Sequence, residues 1–204
     1  MNVDITKVEK LYSDNIDKFG ITSKSVGWPD EKAQSLRFKK LLAVIENKDD
    51  LISVNDLGCG YGEQFKYMVE NGYNLKHFWG CDISQKMIDA AKKYITSKNT
   101  EFVLSDKLSD KADYSFTSGI FNVKFEESIV NWEKYIEQTL IHLNEFSIKG
   151  FAFNLLTSYV DYKEDHLYYG DSMKYFDFCK RNFSKKVALF HDYDLWEWTL
   201  VVKK

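Results

Sequence analysis

The feature that most constrains the fold of this chain is the alternation of short apolar runs with longer helical patterns after residue 50. The apolar runs have the length of buried strands and lie at residues 52–57, 76–81, 101–104, 112–117 and 150–156. Patterns with helical spacing fill the gaps between them, at residues 63–71, 85–97 and 126–146. Because strands that alternate with helices form right-handed crossovers, the sequence predicts a mostly parallel sheet with helices on both faces.

The last part of the sequence departs from this alternation. Residues 186–191 and 195–202 are strand-like runs with only the polar residues 192–194 between them. This spacing is typical of a hairpin, in which neighbouring strands run antiparallel. We therefore expect seven strands, of which the last two close one end of the sheet as a C-terminal antiparallel hairpin.

The residues before the first strand carry helical patterns. Apolar side chains recur at helical spacing from residue 6 to residue 19, and Thr6 and Glu9 have the spacing of a capping box. Pro29 marks the start of a second helix. No repeat, charge block or linker divides the sequence, so we expect one domain over residues 1–204, with a helical cap at 1–50 and a core at 51–204.

Composition narrows the classes of function. The formal net charge of −3 lacks the basic excess that would neutralise the phosphates of a nucleic acid. The longest apolar run, residues 41–45, is far shorter than the roughly 20 residues that span a bilayer. We expect a cytoplasmic monomer or homodimer that binds neither nucleic acid nor membrane. The three cysteines, Cys59, Cys81 and Cys179, lack metal-site spacing, so we expect reduced thiols and no metal.

A glycine-rich turn follows the first predicted strand. Its sequence, residues 56–62, reads Asp-Leu-Gly-Cys-Gly-Tyr-Gly, and glycines at alternate positions let the backbone turn tightly and approach a ligand. The next helix begins there, and its unpaired amides attract an anionic group. A dinucleotide fingerprint would need a third glycine at position 63, where Glu63 stands instead. The turn therefore disfavours a nicotinamide-dependent oxidoreductase, which stays as a weaker alternative.

Two more acids follow the next two strands. Asp82 ends the second strand, where it is placed to accept hydrogen bonds from both hydroxyls of a ribose. Asp106 follows the third strand by two residues. Because the carboxyl ends of parallel strands meet at one edge of the sheet, it is placed to receive the amino group of an adenine.

With these motifs the chain resembles the class I S-adenosylmethionine-dependent methyltransferases. The match comprises the glycine turn, Gly80-Cys81-Asp82-Ile83-Ser84 and Ser105-Asp106, in the family's order and spacing. The resemblance implies a Rossmann-like fold and S-adenosyl-L-methionine as cofactor, with S-adenosyl-L-homocysteine as product. It also implies that the glycines hold the methionine part, Asp82 the ribose and Asp106 the adenine. The cofactor-binding residues expected on this basis are Asp56, Gly58, Cys59, Gly60, Gly62, Asp82, Ile83, Met87, Ser105, Asp106, Lys107 and Ser118.

The acceptor side is less defined. The segment from Ser118 to Asn122 leaves the fourth strand where members of the family place acceptor-binding residues, which makes Asn122 a candidate. It is not the Asn-Pro-Pro-Tyr type motif of nucleic-acid amino methyltransferases. With the negative net charge, this departure favours a small-molecule acceptor. We expect the methyl group to pass to its nitrogen or oxygen by in-line displacement. A non-catalytic module that binds S-adenosylmethionine is the alternative.

A long polar segment and the helical cap supply further candidates. Residues 157–172 have the length of a functional loop, so they are a candidate lid with His166 as general base, and His191 is a rival base. The alternative is a surface excursion whose tyrosines pack on the sheet. In the cap, the resemblance makes Trp28 a candidate to stack on the cofactor and Arg37 a candidate to meet a carboxylate, against plain helix packing.

Overall fold

A twisted sheet organises the computed structural model, which describes residues 3–204. The strand order is β3-β2-β1-β4-β5-β8-β7, and a short β6 pairs with β5 off this path. Every pair is parallel except β5 with β8 and β7 with β8. The strands are β1 (Ile52–Leu57), β2 (Leu75–Asp82), β3 (Thr100–Leu104), β4 (Ala112–Thr117), β5 (Ser147–Thr157), β6 (Tyr169–Gly170), β7 (Lys186–Phe190) and β8 (Glu197–Lys203). The predicted mostly parallel α/β fold with antiparallel C-terminal strands is confirmed.

Six α-helices surround the sheet within the described residues. They are α1 (Thr6–Phe19), α2 (Glu31–Leu41), α3 (Glu63–Glu70), α4 (Gln85–Tyr94), α5 (Ile129–Phe146) and α6 (Ser172–Asn182), with 3-10 turns at Ser23–Val26 and Leu42–Val44. Helices α2, α3 and α4 contribute to an apolar core with Val54, Phe78 and Phe116 of the sheet. Helices α5 and α6 contribute to a second core with Phe153 and Trp198. The buried sheet therefore carries apolar side chains on both faces.

The N-terminal cap of helix α1 differs from the prediction, although the bounds of the helix agree with it. The residue before it, Ile5, makes no side-chain cap, and the carboxylate of Asp4 accepts a hydrogen bond from the backbone N–H of Thr6 at 2.9 Å. Glu9 instead accepts a hydrogen bond from Ser13. The predicted capping box of Thr6 and Glu9 is therefore wrong, because the acid preceding the helix satisfies the first amide.

The other helix starts agree better with their sequences. Asp30 caps α2 by accepting from the N–H of Ala33 at 2.8 Å, and Ser84 caps α4 by accepting from the N–H of Met87 at 3.3 Å. The three cysteines are buried and free. No helix among residues 3–204 is long and apolar enough to cross a membrane.

Candidate functional site

A cleft opens where the carboxyl ends of β1, β2 and β4 meet, because the connections from β1 and β4 leave the sheet in opposite directions there. The empty space in and in front of this cleft, including open solvent, is about 950 Å³. The floor comes from the turn after β1 and from the ends of β2 and β4. The cap comes from α1, α2 and the segment between them, and one side comes from α5. Such a cleft at a switch point of an open α/β sheet is where ligands bind.

The glycine turn needs its glycines for two separate reasons. Gly58 and Gly60 have φ of +78° and +54°, a backbone region that side chains rarely adopt. A Cβ on Gly58 would also lie 2.2 Å from Cγ2 of Ile120, and one on Gly60 would lie 2.9 Å from Cγ1 of Val26. The turn is held on β2 because the carbonyl of Cys81 accepts from the N–H of Gly58 at 2.8 Å.

Gly62 lies at the start of α3, with φ of +86°. The space that its Cβ would occupy is bounded by Ile95 and Phe102 at 3.1 Å, which belong to the apolar core. Gly62 is outside the lining of the cleft, whereas Gly58, Cys59 and Gly60 are part of it. The turn thus presents its first two glycines to the cleft and packs its third against the protein interior.

Asp82 is fixed at the end of β2 by two backbone donors. One carboxylate oxygen accepts from the N–H of Gly60 and the other from the N–H of Ser84, each at 2.9 Å. Burial raises the pKa of Asp82, and these hydrogen bonds counteract that rise because they favour the charged form. Each oxygen keeps further acceptor capacity. Asp82 therefore presents to the cleft an oriented carboxylate that can receive two hydroxyl groups.

Asp56 is the second buried acid of the cleft. It lies on β1 and is only 2% exposed. Burial, and then the charge of Asp82, raises the pKa of Asp56 to about 8. A cationic ligand group nearby would favour its ionised form and lower this pKa.

The end of the cleft beyond Asp82 is built from two chain segments. Ile83 directly follows β2 and Met87 lies in the first turn of α4, whereas Ser105 and Asp106 come from the turn after β3. Ser105 is held in that turn because its backbone N–H donates to the carbonyl of Asp82 at 3.0 Å. Lys107 lies outside the lining, and its N–H donates to the hydroxyl of Ser105 at 3.0 Å.

Two aromatic side chains of α5 also line the cleft, and neither was predicted from the sequence. Trp132 and Tyr135 have ring centroids 5.1 Å apart, and the indole N–H of Trp132 donates to the carbonyl of Phe121 at 2.8 Å. Tyr12 of α1 is a third lining residue that was not predicted. The signal for all three was helical spacing of aromatic residues, which is equally typical of an ordinary core.

The cap is anchored through a buried ion pair. Nε of Arg37 on α2 lies 2.6 Å from Oε2 of Glu197 on β8, and the side chains are 6% and 1% exposed. The guanidinium lies 3.6 Å from the ring centroid of Trp28, which lines the cleft. Glu197 also accepts from Asn154 at 3.4 Å, and Asn154 accepts from the N–H of Gly119 at 2.8 Å. The carboxylate that Arg37 meets is therefore one of the chain's own.

The two predicted catalytic residues lie outside the lining of the cleft. His166 is half exposed, its Nδ1 lies 3.5 Å from Glu164, and its backbone carbonyl accepts from Lys124 and Phe125. Asn122 is buried beside Gly119, and its Oδ1 has no hydrogen-bond partner. The positions of His166 and Asn122 outside the lining give no support to catalytic roles for either residue. Ser118 is part of the lining.

The ionisable side chains that line the cleft are acidic rather than basic. Among the described residues, its lining holds four carboxylic acids and no lysine, arginine or histidine. It also holds the aromatic rings of Tyr12, Trp28, Phe38, Tyr61, Trp132 and Tyr135. A set of acids and aromatic faces attracts positive and flat neutral groups and disfavours anions.

Comparisons with known proteins agree with this geometry. A family model described as a methyltransferase domain matches residues 54–144, which run from β1 through most of α5. A Mycobacterium tuberculosis protein provisionally named as a methyltransferase, Rv1506c, is 44% identical over 163 residues, which is 78% of this chain and 98% of that protein. The chain belongs to the class I S-adenosylmethionine-dependent methyltransferases.

Solved structures of methyltransferases share the fold of this family member. Magnesium protoporphyrin IX methyltransferase from Synechocystis PCC 6803, crystallised with S-adenosylhomocysteine, superposes with a TM-score of 0.66 at 15% identity, over 98% of this chain and 100% of that one. A Leishmania major S-adenosylmethionine-dependent methyltransferase gives 0.66 at 14% identity, over 99% of this chain and 85% of that one. The similarity therefore includes the cap as well as the sheet.

Proposed function

We propose that this methyltransferase transfers the methyl group of S-adenosylmethionine to a nitrogen or oxygen atom of a small molecule, by in-line displacement in the cleft. The observation that carries the proposal is the oriented carboxylate of Asp82 beside a glycine turn that leaves room for a ligand. Gly58 and Gly60 line the cleft without a side chain, so their backbone is open to close approach by a ligand. Asp82 binds the ribose hydroxyls, and Asp106 binds the adenine amino group.

The residues present fit this cofactor in charge as well as in shape. S-adenosylmethionine, when bound, supplies an electrophilic methyl group on a positively charged sulfur. The lining of four acids and no basic side chain among the described residues favours such a cation. Cys59, Ile83 and Ser118 are also part of the lining.

The chain's own contribution to the reaction is positioning and exclusion of water. Trp28 and Phe38 of the cap, with Tyr12 of α1, cover the cleft with apolar surface. A covered cleft aligns the acceptor with the methyl group and keeps competing water out, which supplies much of the acceleration for such a displacement. The acidic lining further favours a neutral or cationic acceptor over a phosphorylated or carboxylated one.

Titration calorimetry with S-adenosylhomocysteine tests the cofactor assignment, with NADH as the control ligand. We expect saturable binding of the first ligand only. Asp82→Asn keeps the shape of the side chain but removes the charge, so the affinity should fall about 10- to 100-fold. Asp89→Asn is the matched control, because Asp89 is an exposed acid on the neighbouring helix α4. Wild-type affinity in a folded Asp82→Asn variant would refute the assignment.

The acceptor class has a separate test. Purified protein is incubated with methyl-labelled S-adenosylmethionine and a cell extract divided into small-molecule, protein and nucleic-acid fractions. We expect label in the small-molecule fraction, in agreement with the net charge of −3. Label in nucleic acid alone would contradict the acceptor class, and no label in any fraction would favour a non-catalytic binding module.

The buried free thiols support a cytoplasmic location.

A further inference from the structure

One buried side chain of the cleft has no partner within the protein. Gln64 is the second residue of α3 and is only 2% exposed. Neither its Nε2 nor its Oε1 has a hydrogen-bond partner. A buried amide without partners costs free energy, so such a group calls for a physical reason.

Gln64 differs in position from the other side chains with buried unpaired atoms. Among residues 3–204, none of the other side chains with such atoms lines the cleft. They are Arg37, His77, Thr117, Asn122 and Asn144. A second glutamine of the same cleft, Gln34, is equally buried but accepts a hydrogen bond from the hydroxyl of Tyr61 at 3.2 Å. The protein therefore pairs the amide oxygen of Gln34 internally, whereas the amide of Gln64, also a lining residue, has no internal partner.

The surroundings of Gln64 define the chemistry of the missing partner. Helix α3 starts at the adjacent Glu63, and no side chain caps its first amides, so this end attracts a carboxylate. The carboxyl groups of Asp56 and Glu63 line the same cleft. Glu63 attracts a cation, and a cation nearby favours the ionised form of Asp56. The amide of Gln64 can donate to a carboxylate through Nε2 and accept from an ammonium through Oε1. An α-amino-acid head carries both of these groups.

We propose that Gln64 binds the amino-acid end of the methyl donor and so discriminates for ligands that carry a zwitterionic head. This inference rests on the proposed function, since S-adenosylmethionine and S-adenosylhomocysteine both end in such a head. Gln64 is kept unpaired in the protein because its partners arrive with the ligand. The stability lost in the free protein is recovered on binding.

The test combines two ligands with two measurements. S-adenosylhomocysteine carries the amino-acid head, and 5′-methylthioadenosine has the same adenosine and sulfur but lacks it. Gln64→Met preserves the volume and removes the amide. We expect its affinity for S-adenosylhomocysteine to fall about 10- to 100-fold in calorimetry, while its affinity for 5′-methylthioadenosine stays within about 2-fold of wild type.

The second measurement is the Tm of the protein without ligand. Gln64→Met removes an unsatisfied buried amide, so its Tm should rise by about 2 °C or more. The matched control Gln34→Met should lower the Tm, because the buried hydroxyl of Tyr61 loses its acceptor. Gln64→Leu removes the same amide with a different shape and should give the same selective loss of affinity.

The outcomes separate this inference from the proposed function. If the wild-type protein does not bind S-adenosylhomocysteine, the proposed function fails and the inference fails with it. If the wild type binds but the two Gln64 variants lose both ligands equally, or lose neither, the inference alone is overturned. The same holds if the Tm of Gln64→Met falls as far as that of Gln34→Met, because Gln64 would then be a structural residue or would be satisfied by water.

Discussion

We expect the Glu197→Gln variant to unfold at a markedly lower denaturant concentration than the wild-type protein. The side chain keeps its size, but the guanidinium of Arg37, 2.6 Å away, loses its counter-charge where the two side chains are 6% and 1% exposed. Removal of one partner of a buried pair typically costs about 3–5 kcal/mol, because the remaining charge stays buried. The loss here should reach the lower part of that range, since Trp28 still faces the guanidinium at 3.6 Å.

The double variant Arg37→Met, Glu197→Gln tests whether the lost stability comes from the unpaired buried charge. Removing both charges also removes their desolvation cost, so at least half of the stability lost in the single variant should return. Asp192→Asn is the control, because Asp192 pairs with Lys40 of the same helix α2 but its side chain is 70% exposed. That variant should leave the stability close to that of wild type.

Urea unfolding followed by far-UV circular dichroism at 25 °C measures all four proteins. In decreasing order of stability, we expect wild type and Asp192→Asn, then the double variant, then Glu197→Gln. A single variant that costs less than about 1 kcal/mol would place the pair in the class of exposed ion pairs and refute the reasoning. A double variant as unstable as the single one, or less stable, would also refute it.

Two further perturbations probe the cleft. Because the pKa of Asp56 is about 8 in the folded protein, against an ordinary value of 3.8 for an aspartate, the native state holds its proton to higher pH than the unfolded state. The stabilising contribution of Asp56 should therefore fall as pH rises from about 4 to 8, so the Tm of wild type relative to that of Asp56→Asn should drop over this range; parallel profiles would contradict this. Gly119→Ala should cost more stability in urea than Gly72→Ala, because both glycines have φ of +78° but only the first would place Cβ 2.7 Å from Trp28. Equal losses would contradict this expectation, because they would show that the Trp28 ring moves aside at no cost.

The sheet was largely predictable because its signal is local. The bounds of β1 and β4 agree with the prediction, since each strand carries apolar residues at alternate positions, Ile52 and Val54 in β1 and Ala112, Tyr114 and Phe116 in β4, and ends at a turn. Strand β5 begins at Ser147, three residues before the predicted start, because α5 passes into it without a loop and its first residues are polar or exposed. The two-residue β6 has too little sequence to carry a pattern.

The candidate site was predictable only in part, for a different reason. The positions of Gly58, Gly60 and Asp82 follow from motifs within one strand and one turn. The pairing of Arg37 with Glu197 joins residues 160 positions apart, and the absence of a partner for Gln64 is a property of the folded interior. Neither can be seen in a linear pattern. His166 was singled out by residue type in a long loop, which carries no information on where the loop lies.

The late position of β8 in the sequence has a consequence for the order of folding. Strand β8 inserts between β5 and β7, and it carries the carboxylate that holds Arg37. Contacts over such long separations form late, because the intervening chain must first lose its freedom. Helix α2 and Trp28 can therefore be locked over the cleft only after the last strand has entered the sheet. An incompletely folded chain presents an open, loosely formed cleft, so ligand binding selects molecules in which folding is complete.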